Sequence, residues 1–464
     1  MKDIFFTNGM GVIMKKMRYL TGIVLASLAV VLVGQQGMAS DESALYTGRP
    51  LDFGYGQSNL GGGYFCNRPS QWYFGAWAEA GVYTNSNGTG LDRSSTWGNH
   101  YLPSERFGFT SGNGIMLGNL QNPRFNMNQM GLFLERKMNT CRGFDWGFKT
   151  EMMFGTDAYL TQSHEDFWMD HDWRSGDYYT SISDLYLTAG YRNLGVKVGK
   201  FASPLSYEHA ESPNNFFYSH SYGFLQSPDT HSGVVVDYQI SCPLSVFAGW
   251  TTGSDAGWAN RFGDSAVLAG LKAKLWDGGT LTYAMQYANL HGGEYDGEVR
   301  ASKMLGFYLF PDNGSGIGAA KMDAYYHSMV FTQKLGKWNY AAEWYYMKTG
   351  NYSGFWQPPG AISPLFQPYS RFGIAQYLTY QINCKLGVGM RAEWMHCGAL
   401  TGISLANYDA YALTFGANWS PVSCLMIRPE LRYDWCQSGQ LDTFFNNRNN
   451  REQLSGGVSV MYKF

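Results

Sequence analysis

Charged side chains in this chain recur at every second position of segments that are otherwise apolar and aromatic. From 428 to 435, for example, Leu431, Tyr433 and Trp435 alternate with two arginines and two carboxylates. Alternate positions of a strand share one face, so these charges would form rows that attract ions and orient water. For many of them, pairing across strands that only braces a wall is the alternative. The candidate pore-lining residues are Lys149, Glu151, Lys197, Lys272, Lys274, Arg391, Glu393, Arg428, Glu430, Arg432 and Asp434.

Two further groups of residues have types that could bind a ligand. Ser163–Asp172 contains two histidines and several carboxylates, which could hold a divalent cation; a solvated acidic loop is the alternative we favour. The number of cysteines is odd, so at least one thiol lacks an internal partner. Cys384 and Cys424 fall in neighbouring turns and would either bridge or stay free. The cysteines are Cys66, Cys141, Cys242, Cys384, Cys397, Cys424 and Cys436.

No pair of cysteines has the spacing of a metal site, and no Ser–His or Asp–His motif points to a nucleophile with its base. We therefore predict no enzyme, no metal and no cofactor.

The elements that must position these residues are β-strands, because polar and apolar residues alternate with a period of two in about sixteen segments. An even number of this size is typical of bacterial membrane barrels. The predicted strands are Trp72–Val82, Gln129–Met138, Phe144–Gly155, Ile182–Tyr191, Leu194–Phe201, Ser232–Ile240, Leu244–Thr252, Ser265–Leu275, Thr280–Asn289, Asp323–Lys334, Trp338–Lys348, Phe372–Ile382, Leu386–His396, Tyr408–Trp419, Cys424–Trp435 and Gln453–Phe464.

The connections between these segments alternate strictly between short and long. Asn193, Ser241–Pro243 and Asn383–Lys385 are short, for example, and each is followed one strand later by a longer polar stretch. An up-and-down antiparallel barrel in a membrane sorts its connections in this way, with short periplasmic turns and long outer loops. A soluble sandwich has no reason to do so. The predicted fold is therefore an all-β transmembrane barrel of about 16 strands.

The bilayer fixes which face of each strand looks outward. A slip of one residue would turn the charged rows toward lipid, at a cost of ~2–4 kcal/mol for each Arg or Lys near the midplane. We therefore expect charges in the lumen and aromatic residues outside. At Lys200 the pattern fits neither face, which predicts a bulge or an early end of the strand Leu194–Phe201.

Composition agrees with a large exported β protein. The 464 residues are 45% hydrophobic and 17% aromatic, with 57 Gly but only 15% charged residues, and the net charge is −2. This balance gives no support for nucleic-acid binding. A basic start, the apolar run from Leu20 to Val33 and Gly37-Met38-Ala39 predict a secretory signal over 1–39, with a start at Met14 as an option. A periplasmic lead-in over 40–70 and a barrel over 71–464 would follow.

The third long connection, Ala202 to His231, is the candidate for a constriction. It contains Glu208, His209, Glu211 and His220 among aromatic residues. In general porins the third outer loop folds into the lumen, and the position and length of this one suit the same role by analogy. Packing over the rim or at a subunit contact is the alternative.

The terminal strand and several internal segments resemble known barrels. Leu454–Phe464 resembles the terminal strand of outer-membrane barrels, whose final Phe, here Phe464, is read by the assembly machinery. Ser212–Tyr222, Asp229–Gly233, Gln376–Asn383 and Arg428–Trp435 resemble the OmpL-like "putative β-barrel porin-2" family. The resemblance is scattered over roughly 72–464. It implies an outer-membrane porin, and it supplies neither catalytic residues nor a substrate.

These observations together predict an outer-membrane porin that lets small hydrophilic solutes and ions diffuse through a water-filled channel. A barrel of about sixteen strands is wide enough for such a channel. A structural or adhesive surface protein is the first alternative, and a barrel-embedded hydrolase is the second. Outer-membrane lipid is the expected surrounding, and a homotrimer is an option that the chain length allows.

Overall fold

In the computed structural model, sixteen long antiparallel strands form one closed barrel, as predicted. The structure describes residues 72–86, 125–140, 143–163, 169–170, 173–175, 178–258, 264–295, 298–300, 320–353, 370–398, 408–438 and 451–464. The predicted signal segment 1–39 and lead-in 40–70 lie outside these residues. In the described part, no helix is long and apolar enough to cross a membrane.

The strands follow one another around the barrel in chain order, and β18 pairs with β1 to close it. Two short pieces, β4 and β11, lie in the outer connections. The strands are β1 Trp72–Asn85, β2 Phe125–Arg136, β3 Phe144–Gly155, β4 Arg174–Ser175, β5 Tyr178–Tyr191, β6 Leu194–Ala202, β7 Thr230–Ser241, β8 Leu244–Thr251, β9 Ser265–Trp276, β10 Gly279–Tyr295, β11 Glu298–Arg300, β12 Ala320–Leu335, β13 Trp338–Ser353, β14 Ser370–Asn383, β15 Leu386–Cys397, β16 Tyr408–Val422, β17 Leu425–Ser438 and β18 Glu452–Lys463. A short helix α1 spans Tyr222–Gln226, and two 3₁₀ turns span Asp157–Leu160 and Ser212–Asn214.

The two strands whose starts differ most from the prediction contain irregularities that break the period of two. In β5, Ser183 and Asp184 are adjacent and both buried, where the pairing with β3 shifts by one residue. In β2, Asn128 and Gln129 are likewise both buried, next to a shift in the pairing with β1. A bulge of this kind turns two successive side chains to the same face. The period of two therefore fails at these positions. For this reason the predicted start of each strand lies four residues after the observed one.

The barrel is apolar outside and polar inside. Phe74, Phe144 and Leu431 are more than half exposed on the outer face, whereas Arg391 and Arg432 are fully buried. Because the outer face meets hydrocarbon, this inversion of a soluble protein's pattern is what a transmembrane barrel requires.

Strand β6 is distorted at its outer end, where the sequence pattern assigned Lys200 to neither face. Gly199 has φ +146°, and a Cβ there would come 2.2 Å from the carbonyl oxygen of Leu185. The buried ammonium of Lys200 donates a hydrogen bond to Thr161 O at 2.7 Å and lies 3.0 Å from Asp170 Oδ2. The pairing of β6 with β5 and β7 continues through Lys200 without a shift in register, and β6 ends at Ala202, so the predicted bulge or early end is wrong. The positive φ of Gly199 instead lets the lysine bind the preceding outer connection.

Candidate functional site

The connection between β6 and β7 crosses the interior of the barrel. Its ends lie on neighbouring strands, but its middle is hydrogen-bonded to β15 and β17, which lie seven and nine strands further round from β7 among the sixteen long strands. Residues 203–229, called the inner loop below, therefore lie within the lumen. The segment Ala202–His231 was expected either to enter the lumen or to pack over the rim or at a subunit contact. Its bonds to β15 and β17 do not fit packing over the rim.

Glu208 joins the inner loop to the opposite wall. Its Oε1 accepts hydrogen bonds from Arg391 Nη1 at 2.8 Å and from the Tyr377 hydroxyl at 3.0 Å. Its Oε2 accepts one from the Ser221 backbone N–H at 2.8 Å and lies 3.1 Å from His220 Nδ1. All four lone-pair directions of the carboxylate are used, so the group is held rather than offered to a solute.

Arg391 extends this contact to the loop backbone and to its own strand. Its guanidinium donates to Ser219 O at 2.7 Å and to His220 O at 3.2 Å, and its Nε donates to Glu393 at 2.8 Å. Arg432 on β17 donates to the same His220 carbonyl at 2.9 Å. Two arginines on alternate strands thus bind one turn of the inner loop.

The start of α1 is fixed by carboxylates of the same wall. The Tyr222 backbone N–H donates to Glu393 Oε2 at 2.6 Å, and its hydroxyl donates to Asp434 Oδ1 at 2.8 Å. Asp434 in turn pairs with Arg432 Nε at 2.9 Å. Charge-assisted bonds of this kind are about twice as strong as neutral ones.

A second group of contacts holds the tip of the inner loop. Arg428 donates to Ser212 O at 3.2 Å and Asn215 O at 3.0 Å, and it also pairs with Glu79 of β1. Glu430 accepts from the Tyr218 backbone N–H at 2.8 Å. The row of charges on β17 is therefore matched almost residue by residue to the loop.

Glycines on the inner wall make room for the aromatic residues of the inner loop. A Cβ at Gly389 would lie 2.6 Å from the ring of Phe216, and one at Gly416 would lie 3.1 Å from the ring of Phe217. The loop therefore rests on bare backbone at these points.

The first strands of the barrel hold the other side of the inner loop. Gln129 of β2 donates to Ala210 O at 2.8 Å and accepts from the Ser212 N–H at 2.9 Å. Lys149 and Glu151 of β3 pair with each other at 2.9 Å, and Lys149 also pairs with Asp184 of β5. The inner loop is thus bonded to β2 as well as to β15 and β17, whereas the ion pairs of Lys149 lie within the barrel wall.

The predicted pore-lining residues all lie on inward-facing positions, but they form two groups of different exposure. Arg391, Glu393, Arg428, Glu430, Arg432 and Asp434 are buried beneath the inner loop, and Glu151 and Lys197 are buried as well. Lys149, Lys272 and Lys274 remain partly exposed. Of the predicted constriction residues, Glu208, Glu211 and His220 are buried, and only His209 is partly exposed.

The prediction missed several residues that hold the inner loop. Tyr222, Tyr377 and Gln129 carry no charge, so a search for rows of charges could not find them. Arg371 bonds the Gln226 side chain at the end of α1, but it lies one residue before the predicted start of its strand. Its positive charge and its position on the inward face, opposite the inward Met347 of β13, could have indicated it.

The pKa of Glu208 gives the inner loop a defined response to acid. Burial alone would raise the pKa, but the Arg391 guanidinium, His220 and the Ser221 N–H outweigh it and lower the pKa to about 2. In the unfolded chain the value is about 4.3. The contact therefore contributes stability above pH 4 that is lost as the pH falls through about 2.

We expect the part of the conductance that depends on Glu208 to be constant from pH 7 to about pH 3 and to change near pH 2, because Glu208 stays ionised until then. Single-channel recording as a function of pH measures this. Glu208→Gln should remove the transition, whereas Asp277→Asn, at a fully exposed turn carboxylate, should leave it in place. A midpoint at pH 4 to 5 that disappears in Glu208→Gln would contradict the assignment.

The remaining candidate groups do not form a site among the described residues. No three His, Cys, Asp or Glu side chains there are placed to hold a metal ion. In Ser163–Asp172, both histidines lie outside the described residues, and Asp170 is paired with Lys200. Cys384 and Cys424 are free thiols, as are Cys242 and the buried Cys436; Cys66 and Cys141 lie outside the described residues.

A closed barrel with an apolar outer face, charges inside and a loop across the lumen defines an outer-membrane barrel of the porin class. The chain belongs to the family described as "Putative beta-barrel porin-2, OmpL-like", whose model matches residues 73–464. The family, the outer-membrane location and the sixteen-stranded barrel are thus confirmed.

Solved structures of outer-membrane proteins are similar to this chain at low sequence identity. OmpT of Vibrio cholerae is 11% identical, with a TM-score of 0.50 over 85% of this chain and 97% of that one. The outer-membrane channel DcaP of Acinetobacter baumannii is 13% identical, with a TM-score of 0.47 over 85% and 97%. At these identities the likeness concerns the fold alone. A search of curated protein sequences finds no match.

Proposed function

We propose that this chain is a porin through which small hydrophilic solutes and ions diffuse passively, with the inner loop as the constriction of its channel. A sixteen-stranded barrel is wide enough to hold water in its lumen, and its selectivity is then set by what narrows it. The observation that carries the proposal is the bonding of the inner loop to the opposite wall through Arg391 and Arg428.

A loop held in this way suits a fixed constriction better than a mobile cover. Its four predicted polar residues are largely turned into the wall, so they set where the loop lies. The passage then runs between the free surface of the loop and the rest of the lumen. No catalytic step is part of this proposal.

We expect the refolded chain to give steady, ohmic openings in a planar bilayer, because a bonded constriction has one conformation. Liposome swelling with neutral sugars of increasing mass should then show a sharp size limit. Protein inactivated by boiling serves as the control. A folded barrel that gives no openings and no swelling would exclude the diffusion channel and favour the structural or adhesive alternative.

Assembly in the membrane is the other part of the proposal. Phe464 is 63% exposed, and its backbone N–H donates to Ala76 O at 2.8 Å. The terminal aromatic side chain is thus presented on the outside of a completed strand pair, which suits recognition by the assembly machinery. A homotrimer stays a proposal from chain length alone.

A further inference from the structure

The charges that a passing ion can reach are different from the charges that line the barrel. The carboxylates Glu79, Glu393 and Glu430 face inward, but each is buried and bonded to an arginine or to a loop N–H. Glu208 of the inner loop is buried and bonded in the same way, and Glu211 is buried. A buried, fully bonded carboxylate is a weak attractor for a mobile cation, because its partners already neutralise its field.

Lysines, in contrast, occupy inward positions that remain at least partly exposed near the periplasmic ends of the strands. On β9, Lys272 and Lys274 are in phase with the buried Leu268 and out of phase with the exposed Val267. The side chain of Lys274 is 40% exposed. The inner neighbours of Lys272 in the sheet are Ser245 and Thr282, and its acidic neighbour is Asp237 of β7.

Two more lysines continue this pattern around the mouth. Lys334 is exposed on β12, in phase with the inward, buried Val330 and out of phase with Leu335. Lys463 lies on β18, paired with the inward Trp77 and partly exposed. Since β18 is opposite β9 in the strand order, Lys463 lies across the lumen from Lys272 and Lys274. Lys272, Lys274, Lys334 and Lys463 are called the periplasmic lysines below.

The acidic groups near these lysines are fewer. Asp237 is a partly buried inward carboxylate on β7, and its charged neighbours are Lys197 and Lys272. Asp277 lies in a turn, 3.9 Å from Lys274 and fully exposed. Glu79 interacts with Lys463 of this set but is itself paired with Arg428. Glu135 lies 3.9 Å from Lys137, which is outside the set. In the part of the chain that the structure describes, positive charge therefore exceeds negative charge on the accessible periplasmic side of the lumen.

We propose that the periplasmic lysines make this channel prefer small anionic solutes, such as carboxylates and phosphates, over cations. Rings of Lys and Arg select anions in pores because they raise the local anion concentration within a Debye length, about 10 Å at 0.1 M salt and about 3 Å at 1 M. The inference rests on the proposed function and adds the charge of the solute. It is independent of the buried arginines, which act on the loop.

The experiment is the reversal potential of the refolded full chain in a bilayer under a gradient of potassium chloride. With the wild type near 0.1 M salt, we expect a chloride-to-potassium permeability ratio above one that approaches one near 1 M. Lys272→Glu with Lys274→Glu should bring the ratio below one. Lys348→Glu makes the same kind of charge change, at one position instead of two, on the exposed outer face, where its partner Tyr325 also points outward. It should leave the ratio unchanged.

Heat-modifiable gel mobility shows whether each variant is folded. If the double variant fails that test, Lys272→Gln with Lys274→Gln replaces it and should lower the ratio toward one. Steady openings with a wild-type ratio of one or less, or equal shifts in the lysine variants and in Lys348→Glu, would overturn the anion preference alone. Folded protein without any openings would overturn the channel function and this inference with it.

Discussion

Arg391→Met is expected to release the inner loop and to raise the single-channel conductance severalfold. The guanidinium is fully buried and bonds Glu208, Glu393 and two loop carbonyls. Methionine keeps much of the volume but leaves the buried Glu208 without a guanidinium partner, and leaves Glu393 with Arg432 as its remaining cation. Removing one member of a buried ionic cluster costs about 3–5 kcal/mol. The loop escapes this cost by leaving the wall, which widens the passage.

The measurement is conductance together with thermal stability, followed by the loss of heat-modifiable gel mobility. Arg136→Met is the matched control, because Arg136 makes one ion pair, with Asp145 at 3.0 Å, away from the inner loop. It should change conductance little. The double variant Arg391→Met with Glu208→Gln should recover part of the lost stability, since it removes the stranded charge. Unchanged conductance in folded Arg391→Met would show that the loop does not narrow the passage.

Leu431→Arg is expected to destabilise the barrel by about 2–4 kcal/mol, the cost of an Arg on the lipid face near the membrane midplane. Leu431 is 51% exposed on the outer face, between the buried Glu430 and Arg432. A charge there has no lumen to turn to, because its neighbours fix the register of β17. Folding into lipid vesicles as a function of denaturant measures the change.

Leu335→Arg is the control for this effect. Leu335 is 65% exposed on the same outer face, but it is the last residue of β12 and lies beside a periplasmic turn. An arginine there reaches the interface, where the cost falls to about 0–1 kcal/mol. Equal losses in the two variants would mean that depth in hydrocarbon does not decide the cost, and that the outer face is not in lipid.

The candidate site was only partly accessible to prediction. The rows of charges and the connection that contacts them could both be identified, because each is a local pattern. Their relation could not. Arg391 and Glu208 are 183 residues apart, and Arg428 and Glu79 are 349 apart, so no spacing in the chain indicates that they meet. The prediction treated the rows of charges as open to the channel, whereas the inner loop covers most of them.

The sequence by itself determined the barrel, its sixteen strands, the side on which its turns lie and the face that meets lipid. Each of these follows from a period of two set against hydrocarbon on one side and water on the other, which acts on every strand separately. The bulges at Ser183–Asp184 and Asn128–Gln129 were not predicted, because a bulge interrupts the period of two on which the prediction depends. Only the tertiary structure decided which charged residues hold the inner loop and which lysines stay at least partly exposed. Which charged residues become buried depends on the inner loop, which crosses the lumen to strands far from it in the chain. The same contacts bury these residues and pair them.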